Sequence, residues 1–140
     1  MRINEVTDKY KKGVDTRRLY DFEANYFWGT EASRVRPMAE LKAIAEEVWT
    51  KYGKGKPMPK IAAGPGTPHG KKLYSYSQDG YIQLSRNQRN KLVLVHELIH
   101  ELGYDEHNAK FIKIYLPILA EVLELDPQEL YDAAREYKLI

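Results

Sequence analysis

Apolar residues recur at intervals of three and four positions in four segments of the chain, which is the spacing of amphipathic helices. These segments span residues 37 to about 52, 85 to 102, 108 to about 125 and 126 to about 138. Each opens with a residue suited to a helix start. A proline stands at position 37, a Ser-x-x-Gln capping box spans residues 85–88, and Asn108 and Asp126 can accept a backbone N–H.

Shorter segments predict strands. Residues 59–63 can form one strand, and residues 73–76 and Tyr81–Leu84 alternate with period two on either side of Gln78-Asp79-Gly80. Alternation around a turn of this composition is typical of a β-hairpin. The order is therefore one helix, three strands and three helices, which predicts an α+β domain with a small sheet beside a helical core.

Length and composition bound the class of protein. The 140 residues suffice for one core, so a single domain is expected over residues 1–140, with the aromatic-rich segment 1–36 packing on it. A hydrophobic content of 43% with a charged content of 30% is typical of a soluble protein. No apolar run approaches the roughly 18 residues of a membrane helix, and the first residues lack a signal-peptide core. A cytoplasmic protein without a membrane partner is expected.

Candidate chemistry concentrates in residues 93–103, which contain the pattern His96-Glu97-x-x-His100. Residues four apart stack on one helix face, so the two imidazoles can share a metal ion while Glu97 lies beside it. Two neutral imidazole ligands and a carboxylate that is not a ligand are what a hydrolytic zinc site requires. Because the chain has no cysteine, the ligands must be histidines or carboxylates. One Zn²⁺ ion per chain is predicted.

The same helix is apolar on more than one side, which predicts that it is buried. A catalytic zinc site takes three protein ligands and keeps one position open for water. Of the four histidines, three lie in this helix and the turn after it, so His107 is the first candidate for the third ligand. Gly103 can adopt the left-handed conformation that ends a helix and returns the chain toward the metal. Glu121 or Glu124 is the alternative third ligand.

Charge is unevenly distributed although the net charge is only +2. Basic residues outnumber acidic ones between residues 37 and 91, and the reverse holds from residue 92 onward. Six lysines within this basic segment form a group, Lys51, Lys54, Lys56, Lys60, Lys71 and Lys72. They can follow a nucleic-acid backbone, although a solvated loop face explains them more simply.

Three segments together resemble the minimal zincin pattern of the SprT-like and WLM metallopeptidases. They are Ile82-Gln83-Leu84-Ser85, residues 92–100 with the His-Glu-x-x-His motif, and His107-Asn108-Ala109-Lys110-Phe111. In those families a strand precedes the motif helix, and a later histidine followed four residues on by Phe supplies the third ligand. The resemblance covers about residues 80–115. It implies a zincin-like fold, in which a small antiparallel-edged sheet packs on a helical core with the motif helix at its centre.

The resemblance also implies an activity. It indicates a zinc metallopeptidase whose protein or peptide substrate pairs, in extended form, with the strand of Tyr81, Ile82, Gln83 and Leu84 or with its hairpin partner. Glu97 would take a proton from a zinc-activated water and pass it to the leaving amine. Candidates to complete the oxyanion site are Tyr74, Tyr76, Tyr104 and His69. Some members of such families act on DNA-bound proteins, which would give the basic segment a purpose.

Two other functions share these features. A non-catalytic binding protein can use zinc as a structural clamp, but such a site has no need of Glu97. A nucleic-acid-binding module can use the basic segment and the N-terminal aromatics while its histidines are incidental.

Overall fold

The computed structural model describes residues 16–64 and 75–140. Within these ranges the chain forms an α+β fold. The helices are α1 (Thr16–Asp21), α2 (Met38–Tyr52), α3 (Lys91–Glu101), α4 (Ala109–Leu123) and α5 (Pro127–Glu136). The strands are β1 (Lys60–Ala63), β2 (Tyr76–Gln78) and β3 (Tyr81–Leu84). A π-helical turn, Phe22–Tyr26, continues α1, and short 3₁₀ turns lie at Glu31–Ser33 and Arg86–Gln88.

Side-chain caps set most helix starts. Asn108 Oδ1 accepts from the Phe111 N–H at 3.1 Å, and Asp126 Oδ1 accepts from the Gln128 N–H at 3.0 Å, so both predicted caps are confirmed. The predicted start of α3 at the capping box is wrong. The Ser85 hydroxyl bonds the side chain of Gln88 at 3.1 Å and opens only a 3₁₀ turn. The cap of α3 is Asn90, whose Oδ1 accepts from the Val93 N–H at 2.8 Å.

The sheet has the order β1-β3-β2. Strands β2 and β3 are antiparallel around Asp79 and Gly80, which both have positive φ, so the predicted hairpin is present. Its first strand was predicted at residues 73–76 but lies at Tyr76–Gln78, and residues 73 and 74 are outside the described residues. Strand β1 pairs with β3 in parallel. Tyr81–Leu84 is therefore the central strand, with both edges already paired, and the expectation that it offers an edge to a peptide is wrong. Its hairpin partner β2 does form an edge, on the antiparallel side of the sheet.

The buried core surrounds α3. Leu94, Val95, Leu98 and Ile99 have no exposed surface, and α3 packs against α2, α4, β2 and β3. The predicted burial of this helix is thus confirmed. The N-terminal segment also enters the core, since it contributes Leu19, Phe22, Phe27 and Ala32. Among the described helices, none combines the length and apolar character needed to cross a bilayer.

Candidate metal centre

Helix α3 presents His96 and His100 to one point, and His107 reaches the same point from the loop that follows. Nε2 of His107 lies 3.1 Å from Nε2 of His96 and 3.0 Å from Nε2 of His100. One ligand atom from each residue lies within 4.8 Å of the other two. In the part of the chain that the structure describes, these three histidines form the cluster that is close enough to hold a metal ion.

A reversal of the chain after α3 brings His107 back. Gly103 has φ of +113°, a conformation that side-chain-bearing residues rarely adopt. The reversal is held by Lys56, whose Nζ donates to the carbonyl of Leu102 at 2.7 Å. Asn108 then starts α4 directly after the histidine. The glycine predicted to return the chain therefore does so, with a lysine from the loop after α2 supporting it.

Each imidazole is also held by its second nitrogen. Nδ1 of His96 lies 2.6 Å from Oε2 of Glu23, Nδ1 of His100 lies 2.8 Å from the carbonyl oxygen of Tyr104, and Nδ1 of His107 lies 3.3 Å from Oγ1 of Thr16. A carboxylate and a carbonyl can only accept hydrogen bonds, so Nδ1 carries a proton in both His96 and His100. Ligating histidines in metal sites are oriented by such outer partners.

The arrangement fits a cation better than it fits hydrogen bonds alone. In their neutral forms, His96 and His100 would both direct an Nε2 lone pair at Nε2 of His107, which can present a single proton along one direction. Two contacts of 3.0 and 3.1 Å therefore compete for one proton. Nitrogens on a tetrahedral zinc, with Zn–N of about 2.0–2.1 Å, would be separated by roughly 3.3 Å. The two distances to His107 are close to this value, and the ligand atoms of all three residues lie within 4.8 Å of one another.

Burial and nearby charge favour the neutral imidazole, the form that can bind a metal ion, in two of the three histidines. Burial, assisted by the neighbouring His96, lowers the pKa of His100 to about 4 and that of His107 to about 2. Burial acts to lower the pKa of His96 as well, but the Glu23 carboxylate outweighs it and the pKa is raised. A proton on His96 would compete with a metal ion for Nε2, so metal binding is expected to release it.

Glu97 lies beside the cluster without belonging to it. The residue is 8% exposed, and burial raises the pKa of its carboxyl, while His96 and a hydrogen bond from Ser77 act in the opposite direction. The carboxyl faces an open cavity of about 390 Å³. The cavity is lined by the three histidines, Glu97 and Glu101 of α3, residues 75–79, Tyr20 and Asp105. A carboxyl whose pKa is raised toward neutrality suits a general base.

The alternative third ligands lie elsewhere. The carboxylate of Glu121 accepts from Lys51 Nζ at 3.0 Å and from the Tyr52 hydroxyl at 2.6 Å. Glu124 ends α4 in a left-handed conformation, with φ of 58°. Because Glu121 is engaged by residues of α2 and neither glutamate joins the histidine cluster, the geometry favours His107.

Other predicted site residues are distributed unevenly around the cavity. Tyr76 lines it, whereas Tyr104 lines a separate small depression and reaches His100 only through its carbonyl. Tyr74 and His69 lie outside the described residues. Within β3, Ile82 and Leu84 are fully buried, and Tyr81 and Gln83 are partly exposed. None of these four β3 residues lines the cavity.

Four residues at the site were not predicted from the sequence. They are Thr16, Tyr20, Glu23 and Tyr115. The first three are spaced by four and three positions, which places them on one side of a helical segment. That spacing was available in the sequence, but nothing local to it indicates that the face meets histidines more than 70 positions away.

The basic segment is partly engaged within the fold. Lys51 pairs with Glu121, and Lys56 bonds the Leu102 carbonyl. Lys71 and Lys72 lie outside the described residues. A nucleic-acid role for this segment stays a prediction.

Comparison of this chain with models of protein families, with curated proteins and with solved structures finds no match.

Proposed function

We propose that this protein is a zinc-dependent metallopeptidase. The observation that carries the proposal is the convergence of three imidazole Nε2 atoms next to the buried carboxyl of Glu97, at the wall of an open cavity. A structural zinc site is usually closed by four protein ligands, whereas three ligands and an adjacent carboxyl are typical of a hydrolytic one. The central motif helix and the adjoining hairpin also support a zincin-like fold.

The residues present fit zinc. His96, His100 and His107 would hold it, because borderline-soft imidazole nitrogens suit zinc better than they suit magnesium or calcium. When bound, zinc supplies Lewis acidity, which lowers the pKa of a water in its open position and polarises a carbonyl group. The carboxylates of partly buried Glu23 and of buried Glu97 lie close enough to His96 to balance the charge of such an ion.

Glu97 would act as the proton carrier. Its carboxylate accepts the proton of the attacking water and then delivers it to the nitrogen of the leaving amine, so one residue serves both halves of the hydrolysis. Burial raises the pKa of this carboxyl, so it holds the proton more firmly until it delivers that proton to the leaving amine. Ser77 contacts the same carboxyl and would hold its orientation.

The substrate is expected to be an extended, exposed segment of a protein or peptide. Strand β2 borders the cavity and, among the described strands, lies at the edge of the sheet, so its outer backbone groups can pair with a further strand. Backbone pairing recognises extended conformation with little dependence on side chains. Tyr20 and Tyr76 both line the cavity and are the described phenols that can donate to the developing oxyanion.

The test combines metal analysis with cleavage. Protein purified without an affinity tag should contain about one zinc per chain, and it should cleave an unfolded substrate such as fluorescently labelled casein. Glu97→Gln should retain zinc and lose cleavage by at least a factor of about 100. Glu46→Gln on the exposed face of α2 is the charge-matched control and should cleave like the parent. A Glu97→Gln protein that cleaves at the parental rate would refute the mechanism.

A further inference from the structure

Three residues of the N-terminal helical segment, residues 16–26, contact the histidine cluster. Thr16 lies 3.3 Å from Nδ1 of His107, the ring of Tyr20 meets the ring of His107 edge-on, and Glu23 lies 2.6 Å from Nδ1 of His96. The strongest of these is the charged one, because a hydrogen bond to a carboxylate is shorter and stronger than one between neutral groups.

Glu23 is held by more than its histidine. The same oxygen, Oε2, accepts from the hydroxyl of Tyr115 on α4 at 2.7 Å. Tyr115 is fully buried, and the Glu23 side chain is 14% exposed. A buried carboxylate is costly unless it is paired and hydrogen-bonded, and here both partners come from the elements that carry or flank the metal ligands. Glu23 is therefore fixed in space independently of His96.

We propose that Glu23 is a positioning residue of the metal centre, and that docking of the N-terminal segment and metal binding are one coupled event. The proposal rests on the metal centre of the proposed function. By accepting a hydrogen bond from Nδ1–H of His96, the carboxylate directs Nε2 toward His100 and His107 in the form that can bind a metal. It also places a negative charge one imidazole away from the ion, which strengthens the imidazole as a ligand.

The consequence is a graded loss of metal affinity. Glu23→Gln keeps an acceptor for Nδ1–H but removes the charge, so the dissociation constant for zinc should rise about 10-fold. Glu23→Ala removes both and should raise it about 100-fold. Glu46→Gln changes the same charge on an exposed helix face and should leave the affinity unchanged.

Competition with a chromophoric zinc chelator measures these constants on the full chain, and circular dichroism checks that each variant is folded. If Glu23→Ala does not fold, Glu23→Gln decides alone. A Glu23 variant that binds zinc within a factor of about three of the parent overturns the proposal, since loss of a residue that orients a ligating histidine typically costs at least 10-fold in affinity.

A second measurement needs no metal. With ¹⁵N-labelled histidine, the metal-free parent should show a hydrogen-bonded Nδ1 proton on His96, and Glu23→Ala should lose it. If the parent binds no zinc, the proposed function fails, and this signal alone judges the role of Glu23. Its persistence in Glu23→Ala overturns the inference. If zinc binds and cleavage proceeds but neither responds to Glu23, the inference fails while the proposed function stands.

Discussion

The ring of Tyr20 meets that of His107 edge-on, with 5.7 Å between the ring centroids and 67° between the ring planes. Tyr20 is nevertheless 48% exposed, because it stands at the boundary between the histidine cluster and the open cavity. Burial, followed by the charges of Glu23 and Glu97, raises the pKa of its phenol, so the hydroxyl stays protonated and can donate. Of the described tyrosines, it combines contact with the ligands and access to solvent.

We therefore expect Tyr20→Phe to lower kcat/KM by about 100-fold, the usual cost of losing one donor to an oxyanion. Zinc content should stay unchanged, because the ring contact with His107 is kept. Tyr26→Phe is the matched control, since Tyr26 stacks on Phe22 and does not line the cavity. Steady-state cleavage of one labelled peptide by both variants decides the matter. If Tyr20→Phe had the same kcat/KM as the parent, the Tyr20 hydroxyl would have no role in the reaction.

The turn at Gly103 gives a second prediction. An alanine at this position would have to keep a φ of +113°, and its Cβ atom would lie 3.2 Å from Nζ of Lys56. Gly103→Ala should therefore destabilise the fold by about 1–3 kcal/mol through backbone strain, and it should weaken zinc binding because His107 is displaced. Gly55→Ala also places a side chain at positive φ and should be strained to a similar extent, but it has open space around it and is expected to keep the parental zinc affinity, so it serves as the control. Loss of stability with unaltered zinc affinity in Gly103→Ala would separate the turn from the metal site.

A third prediction concerns acid. His100 and His107 have folded-state pKa values lowered to about 4 and about 2, below the 6.5 of an unfolded chain. The unfolded state therefore binds more protons in this range, and the free energy of unfolding of the metal-free protein should fall as pH drops from 6.5 toward 4. Each residue contributes up to about 1.4 kcal/mol per pH unit. The contribution of His96, whose pKa is raised, is complete below 6.5 and is lost only as pH rises through its folded-state value.

Urea denaturation of the chelator-treated protein at pH 4.5, 5.5 and 6.5 measures this slope. His107→Gln should flatten it, because Gln does not titrate, whereas the surface variant Glu46→Gln should not. A flat profile in the parent would mean that the histidines are solvated and protonated in the folded state.

A fourth prediction follows from the contacts of the N-terminal segment. Zinc should slow amide hydrogen exchange in residues 16–26, since a segment that contacts the ligands is ordered further when they are fixed. Helix α5 packs against α4 and supplies no residue to the cavity or to the histidine cluster, so it serves as an internal reference. Equal protection in both segments would indicate general stabilisation of the fold.

Features that depend on a few neighbouring residues were predictable from the sequence. The His96–His100 spacing, the turn at Asp79 and Gly80 and the caps Asn108 and Asp126 depend on contacts within four positions, and each is present. His107 could be predicted as a site residue because Gly103 indicates that the chain reverses direction after the helix. The predictions that were wrong concern features that depend on pairing between segments far apart in the sequence. The central place of β3 is set by β1, about 20 residues earlier, and no local pattern encodes which strand takes the middle of a sheet.

The start of α3 shows a second kind of failure. Ser85 has the right spacing for a capping box, but its hydroxyl is engaged by Gln88 and Ser75 in a network that spans the hairpin. Asn90, five residues later, provides the cap instead. Ser85 and Asn90 are both suitable caps by sequence, and the hydrogen bonds of Ser85 across the hairpin leave the capping role to Asn90.

The pairing of Glu23 with His96, 73 positions apart, has a consequence for biosynthesis. A ribosome delivers Glu23 early, but its two partners, His96 and Tyr115, emerge only after most of the chain has been made. On the proposed function, a nascent chain would hold the orienting carboxylate without the metal ligands, and the hydrolytic centre would assemble only after α4 has left the exit tunnel. Capture of the metal would thus report completion of the fold, and a partly made or truncated chain would stay inert toward other proteins around it.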